Sequence, residues 1–141
     1  KVMLQGDYLM GVENLKKYTY SFLFGSEIEI TEKMESGLID GESVVAAYRT
    51  DDTLGLFTTK RILYKGRLFD QRTPLFGEEI NIFTIPYSSI DIFSSEFSDT
   101  TLFNAFRHLN IWTKGGQEIS ILFNKHVNMK KVRQALAQGV L

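Results

Sequence analysis

The chain contains no cysteine. That absence excludes disulfides, thiol nucleophiles and thiolate metal sites together, and it fits a reducing interior. An excess of charge of one sign is also missing: 16 Lys and Arg against 17 Asp and Glu leave a formal net charge of -1. A general nucleic-acid binder usually carries a basic excess, so this balance argues against one while leaving room for a local basic patch. No apolar run approaches the roughly 20 residues needed to cross a bilayer. The opening KVMLQGDYLM has no signal-peptide apolar core and does not begin with Met, which is compatible with a trimmed chain. The expectation is one soluble, cytoplasmic domain.

Catalytic and metal-binding patterns are equally scarce. The two histidines, His108 and His126, show no HxH, HxxxH or carboxylate-histidine spacing. A serine nucleophile needs a general base and an oxyanion hole. The chain has no GxSxG elbow, and Ser94-Ser95-Glu96 and Ser98-Asp99-Thr100-Thr101 read as a strand end running into a polar loop. No Walker loop or GxGxxG cradle is present. The expectation is therefore no catalytic residue, no metal, no cofactor and no enzyme activity.

What the sequence does contain is pattern. With 141 residues, 43% hydrophobic and 23% charged, it has the size and composition of one soluble domain with one core. The first 40 residues read as helical. From a cap at Asp7, the positions Tyr8, Leu9, Val12, Leu15, Phe22 and Leu23 mostly recur at helical spacing, and Phe24-Gly25-Ser26 ends the run. A shorter helix capped by Ser26 or Thr31 carries Ile30, Met34, Leu38 and Ile39, and Asp40-Gly41 is a turn. The period then changes to two. Residues 42–49 (with Val44, Ala46 and Tyr48 on one face), 53–59, 61–67, 80–87, 88–97, 108–114 and 118–123 read as seven short strands. Gly115-Gly116 makes the last hairpin turn. A terminal helix follows, capped by Asn128, with Met129, Val132, Leu136 and Val140 in one stripe. Strands with one greasy face each need a second sheet or a barrel, and an amphipathic helix can cap its open end. The fold class expected is mainly β, a sandwich or barrel of about seven antiparallel strands capped by a C-terminal helix. Residues 1–40 form an N-terminal helical extension and residues 41–141 the β domain.

The stretch TTKRILYKGR, Thr58–Arg67, concentrates positive charge on one of these strands. Alternation places Arg61, Leu63, Lys65 and Arg67 on the outer face and Ile62, Tyr64 and Leu68 on the core face, with Lys60 in the turn. Lys60, Arg61, Lys65 and Arg67 are the candidate anion-binding residues, for a phosphate or an anionic lipid head group. The competing reading pairs them with Glu78, Glu79 or Asp91 on neighbouring segments as a solvated face. Two connections are unexpectedly apolar. Phe69, Leu75 and Phe76 lie in one, and Leu102, Phe103 and Phe106 in the next. Such side chains either fold back on the core or cover a partner, which makes these six the candidate oligomer interface. Tyr8, Tyr18, Tyr20, Phe22 and Leu23 with Lys16 and Lys17 suit packing on the domain, on a neighbouring subunit or on a membrane surface, the last being the minor reading.

FTTKRILYKG (57–66), IPYSSIDIF (85–93) and LNIWTKG (109–115), with the terminal helix, together resemble the bacterial pleckstrin-homology (PH) domain family of unknown function. The likeness runs from about Phe24 to Leu141, with Gly41-Glu42 and Asp52 also matching, and departs at residues 67–83 and 98–106. The resemblance implies a seven-stranded, two-sheet PH fold with a C-terminal helix, a ring-like homo-oligomer and no established enzyme activity. It also implies, by analogy with eukaryotic PH domains, that a basic first hairpin could hold an anionic head group. A scaffolding or interaction role, through self-association and an unidentified protein partner, is the expected function.

Overall fold

The computed structural model describes residues 19–67, 80–95 and 106–141. In chain order they form β1 (Thr19–Ile28), α1 (Glu32–Ser36), β2 (Val44–Arg49), β3 (Leu54–Thr58), β4 (Arg61–Gly66) and β5 (Asn81–Pro86). A 3-10 turn (Tyr87–Ser89), β6 (Ile90–Ser95), β7 (Phe106–Thr113), β8 (Glu118–Asn124) and α2 (Met129–Val140) follow. The strand order β5-β4-β3-β2-β1-β8-β7-β6 makes one open sheet of eight strands with a helix at its C-terminal end, a mainly β, PH-like architecture.

Every run read as a strand after Glu42 pairs as one. The eighth strand corrects the helical assignment of the N-terminal region, whose residues 1–18 lie outside the described residues. Residues 19–28 are β1, not the end of a helix. The aromatics at 20, 22 and 24 alternate with Ser21, Leu23 and Gly25, a period of two that suits a strand with one face buried. Phe22 and Phe24 are buried. The sheet is also not wholly antiparallel, because β1 runs parallel to β8 over Thr19–Gly25 and antiparallel to β2 over Ser26–Ile28. The register slips between Leu23 and Gly25, and Gly25 adopts φ 78° there, a left-handed turn of the backbone within a strand. β1 thereby belongs to both halves of the sheet. The short helix is present where Thr31 caps it, its hydroxyl accepting from the Met34 N–H at 3.4 Å.

A second irregularity re-aims β2. Its register with β3 shifts between Val44 and Ala46, so Val44 does not share a face with Ala46 and Tyr48 as strict alternation predicts. Ala46 and Tyr48 enter the main core. Val44 joins Ala47 and Leu56 in a smaller cluster on the other face, covered by Ile28, Met34, Leu38, Leu54 and Leu63. Ile30 and Ile39, the other two apolar positions of the helical segment, stay exposed.

The main core is aromatic. Phe24 sits 5.5–5.9 Å, centroid to centroid, from Tyr48, Phe57, Tyr64 and Phe123, which come from four other strands. Each such ring, fully buried, contributes roughly 1.5–3 kcal/mol, so this cluster ties the two halves of the sheet together. α2 closes one end as expected. Asn128 Oδ1 accepts from the Lys130 N–H at 3.0 Å, and Met129, Val132, Ala135 and Leu136 are buried. Gly139 lets the helix lie against the Tyr87 ring, where a Cβ would stand 2.2 Å from the nearest ring carbon.

Candidate functional site

The Thr58–Arg67 hairpin is built around one threonine. Thr58 Oγ1 accepts from the backbone N–H groups of Lys60 and Arg61 at 3.1 and 3.0 Å, closing the tight turn. The Tyr87 hydroxyl donates to the Thr58 carbonyl at 2.6 Å and pins the turn to the corner between β5 and β6. Burial, with the Glu42 charge added, pushes that phenol well above its usual range, so it stays protonated as a donor.

Beneath the turn lies a buried carboxylate. Glu42 is 8% exposed and takes a bidentate pair from Arg61, Nε to Oε2 at 2.9 Å and Nη2 to Oε1 at 3.0 Å. Thr58 Oγ1 donates to Oε2 and the Ile39 N–H to Oε1 at 3.2 Å. Burial raises this carboxyl's pKa, but the Arg61 and Thr58 bonds, the Ile39 N–H and the Arg61 charge outweigh it, leaving the pKa below the usual glutamate value.

The structure therefore divides the four candidate anion-binding residues. Ile62 and Tyr64 face the core, as alternation requires. Arg61 is held by Glu42, a partner outside the three carboxylates considered from sequence. Leu63, next along the same face, is packed in the smaller apolar cluster. Lys60, Lys65 and Arg67 are exposed, with no ion-pair partner among the described residues. The basic stretch is thus two exposed lysines and an arginine around a covered centre.

Of the candidate interface residues, Phe69, Leu75, Phe76, Leu102 and Phe103 lie outside the described residues, and Phe106 begins β7. By chain order, the first apolar connection leads into β5 and the second leaves β6, the two edge strands. Those edges carry side chains the sequence reading passed over. Ile82 on β5 is 70% exposed, Ile92 on β6 57%, and Ile80, just before β5, 54%. The signal was available: Ile82-Phe83 and Ile92-Phe93 place bulky apolar residues on both faces of a strand.

Two hollows are formed by described residues. An apolar groove of about 390 Å³ runs beside β5, lined by Tyr20, Phe22, Phe83, Ile85 and Ile119 with Lys114 at its rim. A basic hollow of about 350 Å³ lies at the start of α2, lined by Arg107, His126, Lys130 and Arg133. Arg107 Nε donates there to the Lys125 carbonyl at 2.7 Å. His108 sits within β7, half-buried, and His126 is exposed in the turn before α2. Among the described residues no three His, Asp or Glu side chains converge as a metal site. No helix among them is long and apolar enough to cross a membrane.

The fold has known counterparts. A family model described as a bacterial PH domain matches residues 19–140. Over 114 residues the chain is 30% identical to the uncharacterized protein YjqA of Bacillus subtilis (strain 168), covering 79% of this chain and 86% of that protein. Among solved structures, a protein with a pleckstrin-homology domain from Shewanella loihica PV-4 superposes with a TM-score of 0.65 at 20% identity, covering 82% of this chain and 97% of that one. A pleckstrin homology domain from Shewanella amazonensis SB2B gives a TM-score of 0.56 at 22% identity, covering 77% and 83%.

Proposed function

This chain belongs to the bacterial PH domain family, and from that premise we propose that it is a non-enzymatic, cytoplasmic module that self-associates into a ring-like homo-oligomer and presents repeated surfaces to a protein partner. The observation that carries this reading is Ile82, 70% exposed on β5, an edge strand of the sheet among the described residues. Six large apolar side chains are exposed among the described residues, and three of them, Ile80, Ile82 and Ile92, lie on or beside the two edge strands. Monomeric proteins usually blunt such edges with charge, proline or a cover. Apolar edges are what a repeated contact between copies uses. The apolar connections at Phe69–Phe76 and Leu102–Phe106 adjoin the same strands in chain order.

Light scattering at micromolar concentration tests it. The expected mass is a multiple of the 16.2 kDa chain, and a monomer mass ends the proposal.

A second reading, an anionic head group or phosphate held on the hairpin, is supported by Lys60, Lys65 and Arg67 being exposed without a carboxylate partner among the described residues. It is the weaker of the two, because Arg61 is engaged by Glu42 and Leu63 interrupts the stripe. Sedimentation with vesicles of neutral lipid, and of neutral plus anionic lipid, separates them. The self-association reading expects no anionic enhancement. An enhancement abolished by Lys65→Glu with Arg67→Glu favours the head-group reading instead.

A further inference from the structure

The outer face of β2 to β5 is only half covered. Residues paired across these strands form two rows on it. Ala47, Leu56 and Leu63 make one row, and Arg49, Leu54, Lys65 and Ile82 make the next. α1 lies over the first row, where Met34 and Leu38 pack on the cluster of Ala47 and Leu56. The second row is left open: Arg49, Lys65 and Ile82 are exposed and Leu54 is half-buried.

The open row alternates cation and apolar side chain. Neither Arg49 nor Lys65 has an ion-pair partner among the described residues, and Arg49 Nε donates to the Thr50 carbonyl at 3.5 Å. Asp51 and Asp52, in the bend after β2, pair with neither cation. An occupant complementary to this row carries two carboxylates with an apolar side chain after each.

Spacing selects its conformation. Neighbouring strands lie about 4.8 Å apart, so the four side chains span about 14 Å. A helix presents one face at i, i+4, i+7 and i+11, about 16 Å in all. An extended chain presents one face every 6.8 Å or so and needs about 20 Å for the same four positions. The helix is the closer match. A protein segment also fits better than a bilayer. α1 stands on the adjoining row, so a flat membrane meets α1 first, whereas a helix beside α1 continues the layer that α1 begins on the sheet.

We propose that the row Arg49, Leu54, Lys65 and Ile82 docks an acidic amphipathic helix of a protein partner, laid across the strands beside α1. This rests on the partner-presenting part of the reading above, and names the surface and the chemistry of the partner. The partner's carboxylates meet Arg49 and Lys65, and its apolar side chains cover Leu54 and Ile82.

The test uses the full chain as bait for a displayed library of random peptides of about 15 residues, some four helical turns. Peptides with acidic and apolar residues alternating along one helical face are expected to be enriched. In an anisotropy titration of a labelled selected peptide, Arg49→Glu with Lys65→Glu is expected to weaken binding about tenfold or more. Exchanging that peptide's acidic residues for lysine is expected to restore binding to the charge-reversed variant. If charge reversal lowers the melting temperature, Arg49→Gln with Lys65→Gln replaces it and is expected to remove the salt dependence of binding. No enrichment, enriched peptides without acidic residues, or equal binding to the variants overturns the proposal. So does sedimentation with anionic vesicles that depends on Arg49 and Lys65, which assigns the row to a membrane. Light scattering separates this proposal from self-association: the charge-reversed variant is expected to keep the mass of the unmodified protein. A fall to the monomer assigns the row to a contact between copies and overturns the proposal. A monomeric unmodified chain ends the self-association reading instead, and the peptide titration still decides the row.

Discussion

Replacing Arg61 by alanine is expected to destabilise the domain by about 3–5 kcal/mol, although the position reads from sequence as a solvated surface arginine. Its partner carboxylate, on Glu42, has no side-chain exposure, so the change leaves a buried charge with only the Thr58 hydroxyl and the Ile39 N–H. Glu42→Ala should cost less, because Arg61 is 22% exposed and can turn its guanidinium to water. Arg61→Lys should fall between the two, since a point charge cannot supply the bidentate pair. Denaturant midpoints of the three variants check the order. A loss under about 1 kcal/mol for Arg61→Ala, the size of an exposed pair, would sink the assignment.

The same pair sets an acid limit. The Glu42 carboxyl is a stronger acid in the folded chain than in the unfolded one, because its hydrogen bonds and the Arg61 charge outweigh burial. The unfolded chain therefore binds the proton more readily, and the pair's contribution is complete above the ordinary glutamate pKa. It is lost as pH falls through the depressed folded value. Melting temperature followed from neutral to acid pH should show this loss in the unmodified protein, and Arg61→Ala should remove it.

Gly25→Ala is expected to destabilise the domain by about 3 kcal/mol. Two costs combine. At φ 78° a residue with a Cβ pays about 1–2 kcal/mol for the left-handed conformation. The Cβ would also stand 2.5 Å from the Arg49 carbonyl oxygen and 2.6 Å from Thr50 Cγ2. Arg49 belongs to the strand paired with β1, so relief requires β1 and β2 to part at the point where β1 changes neighbours. Gly41→Ala is the control: its φ is 80°, but a Cβ there meets nothing within 4 Å, so only the backbone cost applies. Chemical denaturation of both variants separates the terms. Equal losses at the two positions would show that the Arg49 contact is unimportant.

These residues also show what could be read in advance. Strands β2 to β8 were legible because each alternates over a short window and is bounded by turn residues, and α2 because Met129, Val132 and Leu136 return every three or four positions. The inward half of the hairpin, Ile62 and Tyr64, followed from the same alternation. Strand β1 was not recognised, since Tyr8 to Leu15 suggests a period near 3.6 that Phe22 and Leu23 can be made to continue. Its identity is decided by β8, about a hundred residues further along the chain. The face of Val44 was misjudged because a register slip depends on the facing strand, which a local pattern does not contain.

The sequence by itself determined the order of the strands after Glu42, the terminal helix and its cap, the core face of the hairpin and membership of a family. All of these follow from short-range periodicity or from ordered motifs, which need no knowledge of distant neighbours. Only the tertiary structure decided that β1 completes the sheet, that Glu42 occupies Arg61, that Leu63 interrupts the basic face and that Ile82 and Ile92 stand exposed on the edge strands of the described sheet. Each of those depends on which residues meet across the sheet or fail to. Burial and pairing are properties of that meeting, so a charge or an isoleucine acquires its role only when the fold places something beside it or leaves it bare.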